Sequence, residues 1–101
     1  MPSEHTPQAS WTVKQNSKAR KGENDLPGKC QTIAKAVKRT LMKTGKATGF
    51  DNYGPVKQLG KNFYHCHIGS FQATYVMVWK VDKNSKTITV TYIGTHENAP
   101  Y

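Results

Sequence analysis

Apolar positions change their period partway along the chain. From Lys29 to Thr44, Cys30, Ile33, Ala34, Val37 and Leu41 recur at spacings of three and four, which draws one apolar stripe along a helix. Lys29, Gln31, Lys35, Lys38, Arg39 and Lys43 cover the opposite side. Pro27 and Gly28 precede the run and Gly45 follows it, where a left-handed cap would sit. The next stretch, "GKATGFDNYGPVKQLGKN", has four glycines, a proline, and Asn and Asp at turn-forming positions, and reads as loop. The period then falls to two. Phe63 to Ile68 reads as a strand, and Thr74 to Val81, "TYVMVWKV", as a central strand apolar at nearly every position. After the turn "DKNSK", Thr87 to Gly94, "TITVTYIG", alternates as a hairpin partner.

Three consecutive strands with short connections make an antiparallel meander, and the helix must cover one of its faces. Trp11 to Val13 predicts a first short strand. "KQNSKARKGEN" is too polar to assign and reads as either loop or a short basic helix. Residues 1–10 are polar, carry two prolines and read as a flexible N-terminal tail. Residues 11–101 then form a single domain. The expected fold class is α+β, with N-terminal helices packed on a small twisted antiparallel sheet.

Composition narrows the partners. A chain of 101 residues supports one core. Fifteen Lys and Arg against six acids leave a net charge of +9, a surplus that favours a polyanion: RNA, DNA, an acidic protein or an anionic membrane. No apolar run approaches the roughly 18 residues that span a bilayer. The first ten residues also lack the apolar region of a signal peptide. Cys30 and Cys66 do not make a disulfide framework and read as two buried thiols in a reducing cytosol, so the expected location is cytoplasmic.

Candidate chemistry centres on histidine. His65 and His67 stand at i and i+2 and share one face of their strand, with Cys66 pointing the other way. His96 follows the last strand, and in a meander the end of the first strand can lie near the end of the last. Three readings are open: exposed polar positions, a zinc site completed by His96 or Glu97, and metal-free acid–base chemistry. RNA cleavage needs the third. A base takes the 2′-hydroxyl proton, a cation holds charge on the phosphate, and an acid protonates the leaving 5′-oxygen, with no cofactor. Lysines for phosphates and aromatics for splayed bases (Tyr64, Phe71, Tyr75, Tyr92, Tyr101) are available, although Tyr75 and Trp79 read as core. Lys38 and Arg39 on the basic helix face, with Lys57 and Lys61 in the loop segment, are the candidate RNA contacts.

The succession of basic helical region, loop, "KQLGKNFYHCHIG", "TYVMVWKV" and "ITVTYIGTHENAPY" resembles the RelE/ParE superfamily of bacterial toxins, especially its RelE- and YafQ-like members. The resemblance spans roughly residues 11–101 and is most specific in the C-terminal forty. It implies a type II toxin–antitoxin toxin, an mRNA interferase that cleaves message in the ribosomal A site without a metal. It also implies a cognate antitoxin as partner. By position, His67 and His96 match histidines used in the YafQ-like branch, and Tyr101 falls near that branch's C-terminal aromatic. His65 stands where many relatives carry a basic residue, and Lys57 lies in a segment that supplies phosphate-contacting lysines. Where many members have an arginine entering the central strand, this chain offers Gln72, so charge stabilisation would fall to a histidine or to Lys57 or Lys61. The expected site is therefore His65, His67, His96 and Tyr101. Two other readings remain: a non-catalytic RNA- or protein-binding module, and a nuclease domain of a larger secreted toxin.

Overall fold

Alternation and helical periodicity place the elements close to where the sequence puts them. The computed structural model describes residues 10–101; apart from Ser10, the expected tail lies outside the described residues, as does His5. In chain order the elements are β1 (Thr12–Gln15), α1 (Ser17–Asn24), α2 (Gly28–Thr44) and the two-residue strand β2 (Gly54–Pro55). A 3₁₀ turn at Lys57–Leu59 leads to β3 (Phe63–Ser70), β4 (Thr74–Asp82) and β5 (Thr87–Thr95). The sheet order is β1-β5-β4-β3-β2.

The meander β3–β4–β5 is antiparallel as expected, and β2 adds to it antiparallel through Gly54↔His65 and Pro55↔Tyr64. One pairing corrects the expectation of a wholly antiparallel sheet. β1 runs parallel to β5, from Thr12↔Thr87 to Gln15↔Val90, so the sheet is mixed. From β1 the chain passes into the helices and lays down β2, β3 and β4 before β5 arrives beside β1, and so long a connection lets the two strands run in the same direction.

The polar segment left open between loop and helix is α1. Its start is fixed by Asn16, whose side chain accepts the Ala19 amide at 2.8 Å. The helix escapes an apolar count because the residues it buries are only Ala19 and Glu23. It can lie close to the sheet because Gly22 faces β5: a Cβ there would stand 1.8 Å from the Ile93 carbonyl oxygen. Gly→Ala inside a helix ordinarily stabilises by about 0.5–1 kcal/mol. Here the sign reverses. Gly22→Ala is expected to lower the melting temperature by about 4 °C or more, read by thermal circular dichroism, because overpacking costs about 1–3 kcal/mol.

α2 follows its predicted stripe, burying Cys30, Ala34, Val37 and Leu41. It ends at Gly45 in the left-handed conformation expected there (φ 74°). The helix layer covers one face of the sheet, and Val37, Leu41, Cys66, Ile68, Met77, Trp79, Ile88 and Val90 form the core between them. Tyr64 and Tyr75 pack against this side as well. The other face carries a smaller apolar cluster, Val76, Val78 and Tyr92, extended by Leu59, Phe63, Ala99 and Tyr101. Among the described residues no helix is long and apolar enough to cross a membrane.

A histidine-lined candidate active site

Strand alternation decides which side chains reach the uncovered face. On β3, Cys66 and Ile68 point into the helix-side core, which leaves His65 and His67 on the other face. Their partners on β4 are Val78 and Val76, members of the small cluster on that face. The register of β3 shifts between His67 and Gly69, a bulge of the kind that re-aims side chains beside functional sites. The His67 amide donates to the Asp51 carbonyl at 2.7 Å and ties the preceding loop to the strand.

His96 is brought in by the end of β5, where its amide donates to the Thr74 carbonyl at 2.8 Å. The following turn is closed by Asn98 and Ala99 amides donating to Thr95 and His96 carbonyls. It returns the chain so that Tyr101 packs on the Val76–Val78–Tyr92 cluster. Beneath it, the Tyr92 hydroxyl donates to the Thr95 carbonyl at 2.7 Å.

Four rings consequently form a closed circuit. Centroids are separated by 6.0 Å for His65–His67, 5.6 Å for His67–His96, 5.8 Å for His96–Tyr101 and 5.2 Å for Tyr101–His65. All four residues proposed from sequence meet at this point. Beside them opens a cleft of about 440 Å³, lined by His67, Gln72, Ala73, Thr74, Thr95, His96 and Glu97.

The rings differ in their surroundings. His65 Nδ1 lies 3.2 Å from the Gly54 carbonyl oxygen, a contact β2 provides by pairing with β3. The carbonyl can only accept, so Nδ1 carries the hydrogen and Nε2 is left as the basic nitrogen. Burial lowers the His65 pKa below the ordinary histidine value; the Gly54 contact opposes this, and the neighbouring His67 and His96 add to it. His96 is exposed at the rim. Tyr101 has its phenol pKa raised, chiefly by burial, and its hydroxyl has no hydrogen-bond partner among the described residues.

Cys66 has no part in this chemistry. It is fully buried on the helix side, and burial, with Asp51 adding, pushes its thiol up to about 12. Cys30 is likewise a free, buried thiol. The zinc arrangement weighed from sequence does not form: among the described residues no three His, Cys, Asp or Glu side chains are grouped to hold an ion.

The four candidate cations separate into two pairs. Lys57 and Lys61 are exposed on the segment between β2 and β3, whose Leu59 packs on the cluster under Tyr101. Lys38 and Arg39 are on α2, in the layer behind the sheet. The Lys38 ammonium is engaged there, donating to Glu23 Oε1 at 2.7 Å and to Gln15 Oε1 at 2.6 Å. It ties α2 to α1 and β1, and the structure does not bring this pair to the histidines. Thr74 lines the cleft unforeseen, since its nearness to His67 depends on a cross-strand register that no local pattern reveals.

Comparison with protein-family models and with curated proteins finds no match. Solved structures do match. The archaeal RelE–RelB complex from Pyrococcus horikoshii includes a chain with a TM-score of 0.67 at 16% identity, covering 89% of this chain and 99% of that one. The isolated E. coli RelE toxin gives 0.64 at 13% identity, covering 90% and 89%. A metal-bound toxin from Helicobacter pylori gives 0.59 at 18% identity, covering 86% and 96%. The chain has the RelE fold, two helices on a five-stranded mixed sheet.

Proposed function

We propose that this protein is the toxin of a toxin–antitoxin pair and an endoribonuclease that cleaves mRNA on the translating ribosome by histidine acid–base chemistry. The observation that carries the reading is the closed circuit of His65, His67, His96 and Tyr101 beside an open cleft on a RelE fold. The RelE–RelB complex from Pyrococcus horikoshii among the structural neighbours supports an antitoxin partner. The surplus of +9 suits both that partner and RNA.

In this reading His65 is the base. Its orientation is fixed by Gly54, its Nε2 is free to accept, and burial holds it neutral. It removes the 2′-hydroxyl proton, and the 2′-oxygen attacks the adjacent phosphorus. His96, at the opposite corner of the circuit, protonates the departing 5′-oxygen, as an in-line displacement requires of groups on opposite sides of phosphorus. His67 lies between them, 6.0 Å from one and 5.6 Å from the other, and stabilises the charge on the phosphate oxygens. The products are a 2′,3′-cyclic phosphate and a 5′-hydroxyl. Tyr101 positions the nucleotide, and Lys57 and Lys61 hold flanking phosphates. With Gln72 where the resemblance implies arginine, positive charge comes from these lysines, and the His67 ring donates a hydrogen bond to the phosphate.

Purified protein added to translating ribosomes, with Mg2+ kept for the ribosome, is expected to cut message at discrete positions mapped by primer extension and to leave 2′,3′-cyclic phosphate ends. Intact message with retained binding would indicate a non-catalytic module instead.

The lowered pKa of His65 makes a further expectation. Its folded pKa lies below its unfolded one, so as pH falls the unfolded chain takes up this proton first. Its contribution to stability is therefore present above about pH 6.5 and is lost as pH falls toward the folded value. Between pH 7 and 5 the wild type should lose more melting temperature than His65→Gln. The basic form of His65 also persists to lower pH, so the acid limb of kcat/KM should lie below about pH 6.5. Equal acid sensitivity of the two proteins, or an acid limb above that pH, would remove His65 from the role of base.

A further inference from the structure

The β3–β4 turn divides two depressions. On one side Gln72 lines the histidine cleft. On the other, an apolar groove of about 460 Å³ runs between the turn and the start of α2, walled by Pro27, Cys30, Ile33, Gly69 and Phe71, with Lys29 on its lining. Phe71 is 58% exposed, the one exposed large apolar side chain among the described residues. Single exposed apolar residues are ordinary. Phe71 differs because its ring continues the apolar wall of a groove of ligand size. The turn itself is held in an unusual shape. The Phe71 amide donates to the Ala73 carbonyl at 2.9 Å, and Gln72 sits in the left-handed region at φ 65°, a conformation that costs a non-glycine residue. That shape sends two consecutive side chains to different depressions, with their Cα atoms only about 3.8 Å apart.

We infer that this groove is a subsite for the nucleotide flanking the scissile one. Phe71 stacks on its base, Lys29 pairs with its phosphate, and Gln72 hydrogen-bonds to the strand where it passes from groove to cleft. Apolar walls with one cation fit a splayed base and its backbone, as in other single-strand sites. The two depressions share one turn, so adjacent nucleotides of one strand reach both. The inference rests on RNA occupying the histidine cleft.

The test uses binding rather than cleavage. In a His96→Ala background, a fluorescently labelled single strand of about eight nucleotides is titrated against Phe71→Ala, Phe71→Trp and Lys29→Gln. Phe71→Ala should weaken binding by about tenfold or more, Phe71→Trp should restore it, and Lys29→Gln should reduce its salt dependence. Bases stacking on the indole of Phe71→Trp should also quench its fluorescence. A dinucleotide, which spans the scissile bond and fills only the cleft, should bind every variant alike. Unchanged affinity in Phe71→Ala, loss of the dinucleotide in the same proportion, or no binding of the longer strand would each overturn the subsite. Loss of nuclease activity elsewhere, with Phe71-dependent binding intact, would remove the catalytic reading and leave the subsite standing.

Discussion

If the proposed reaction is right, His96→Ala should abolish mRNA cleavage and any growth arrest on expression, and His67→Ala should do the same, with no loss of fold. His96 is exposed at the cleft rim, so removing its ring should leave stability within about 0.5 kcal/mol. A positioned proton donor contributes about 10²–10⁴-fold to rate, so cleavage by the variant should fall by that factor. The circuit also makes a prediction about pairs. His96 and His67 are 5.6 Å apart and in the proposed reaction would act on one phosphate, so the double variant should be scarcely worse than either single one. Cleavage is read by primer extension, growth in an inducible strain, and fold by thermal melting. Retained toxicity in both single variants would rule out the site.

The largest stability effect should come from the other side of the sheet. Trp79 is fully buried at the centre of the helix-side core and stacks on Tyr53, with ring planes 9° apart and centroids 6.1 Å apart. Trp79→Ala should cost about 3–5 kcal/mol, a large share of the roughly 5–15 kcal/mol that holds a domain of this size. The melting temperature should fall by about 12 °C or more. Trp79→Phe should behave differently. The indole nitrogen has no hydrogen-bond partner among the described residues, so the smaller ring removes an unpaired donor along with some packing. A loss below about 1.5 kcal/mol is expected, measured by urea denaturation. Equal losses in the two variants would show that Trp79 is not held by the packing described.

Sequence and structure agree where side chains repeat with the period of their element. The stripe Cys30–Ala34–Val37–Leu41 and the alternation of Thr87–Gly94 each mark one buried face, and both elements lie where those patterns put them. α1 was ambiguous because its inward face is Ala19, Gly22 and Glu23: a close approach to Ile93 replaces bulky apolar packing. The parallel pairing of β1 was invisible for another reason, since four residues carry no information about which strand they join or in which direction. At the site, the i, i+2 spacing was enough to place His65 and His67 on one face. Their meeting with His96 and Tyr101 depended on topology, and the tautomer of His65 on a two-residue strand, Gly54–Pro55, hidden inside a glycine-rich loop. In sequence Lys38 is a cation of the basic helix face and a candidate RNA contact, and only its distances to Glu23 and Gln15 show it spent on holding three elements together.

One substitution in the RNA probes the proposed chemistry at its first step. A translated message is mapped for its cut, and the single nucleotide 5′ to that cut is then replaced by its 2′-deoxy analogue. If His65 draws a proton from the 2′-hydroxyl, the unmodified message should yield a 2′,3′-cyclic phosphate, and the substituted one should stay whole at that position. Cleavage that persists without that hydroxyl, or that leaves a 3′-hydroxyl and a 5′-phosphate, would contradict it.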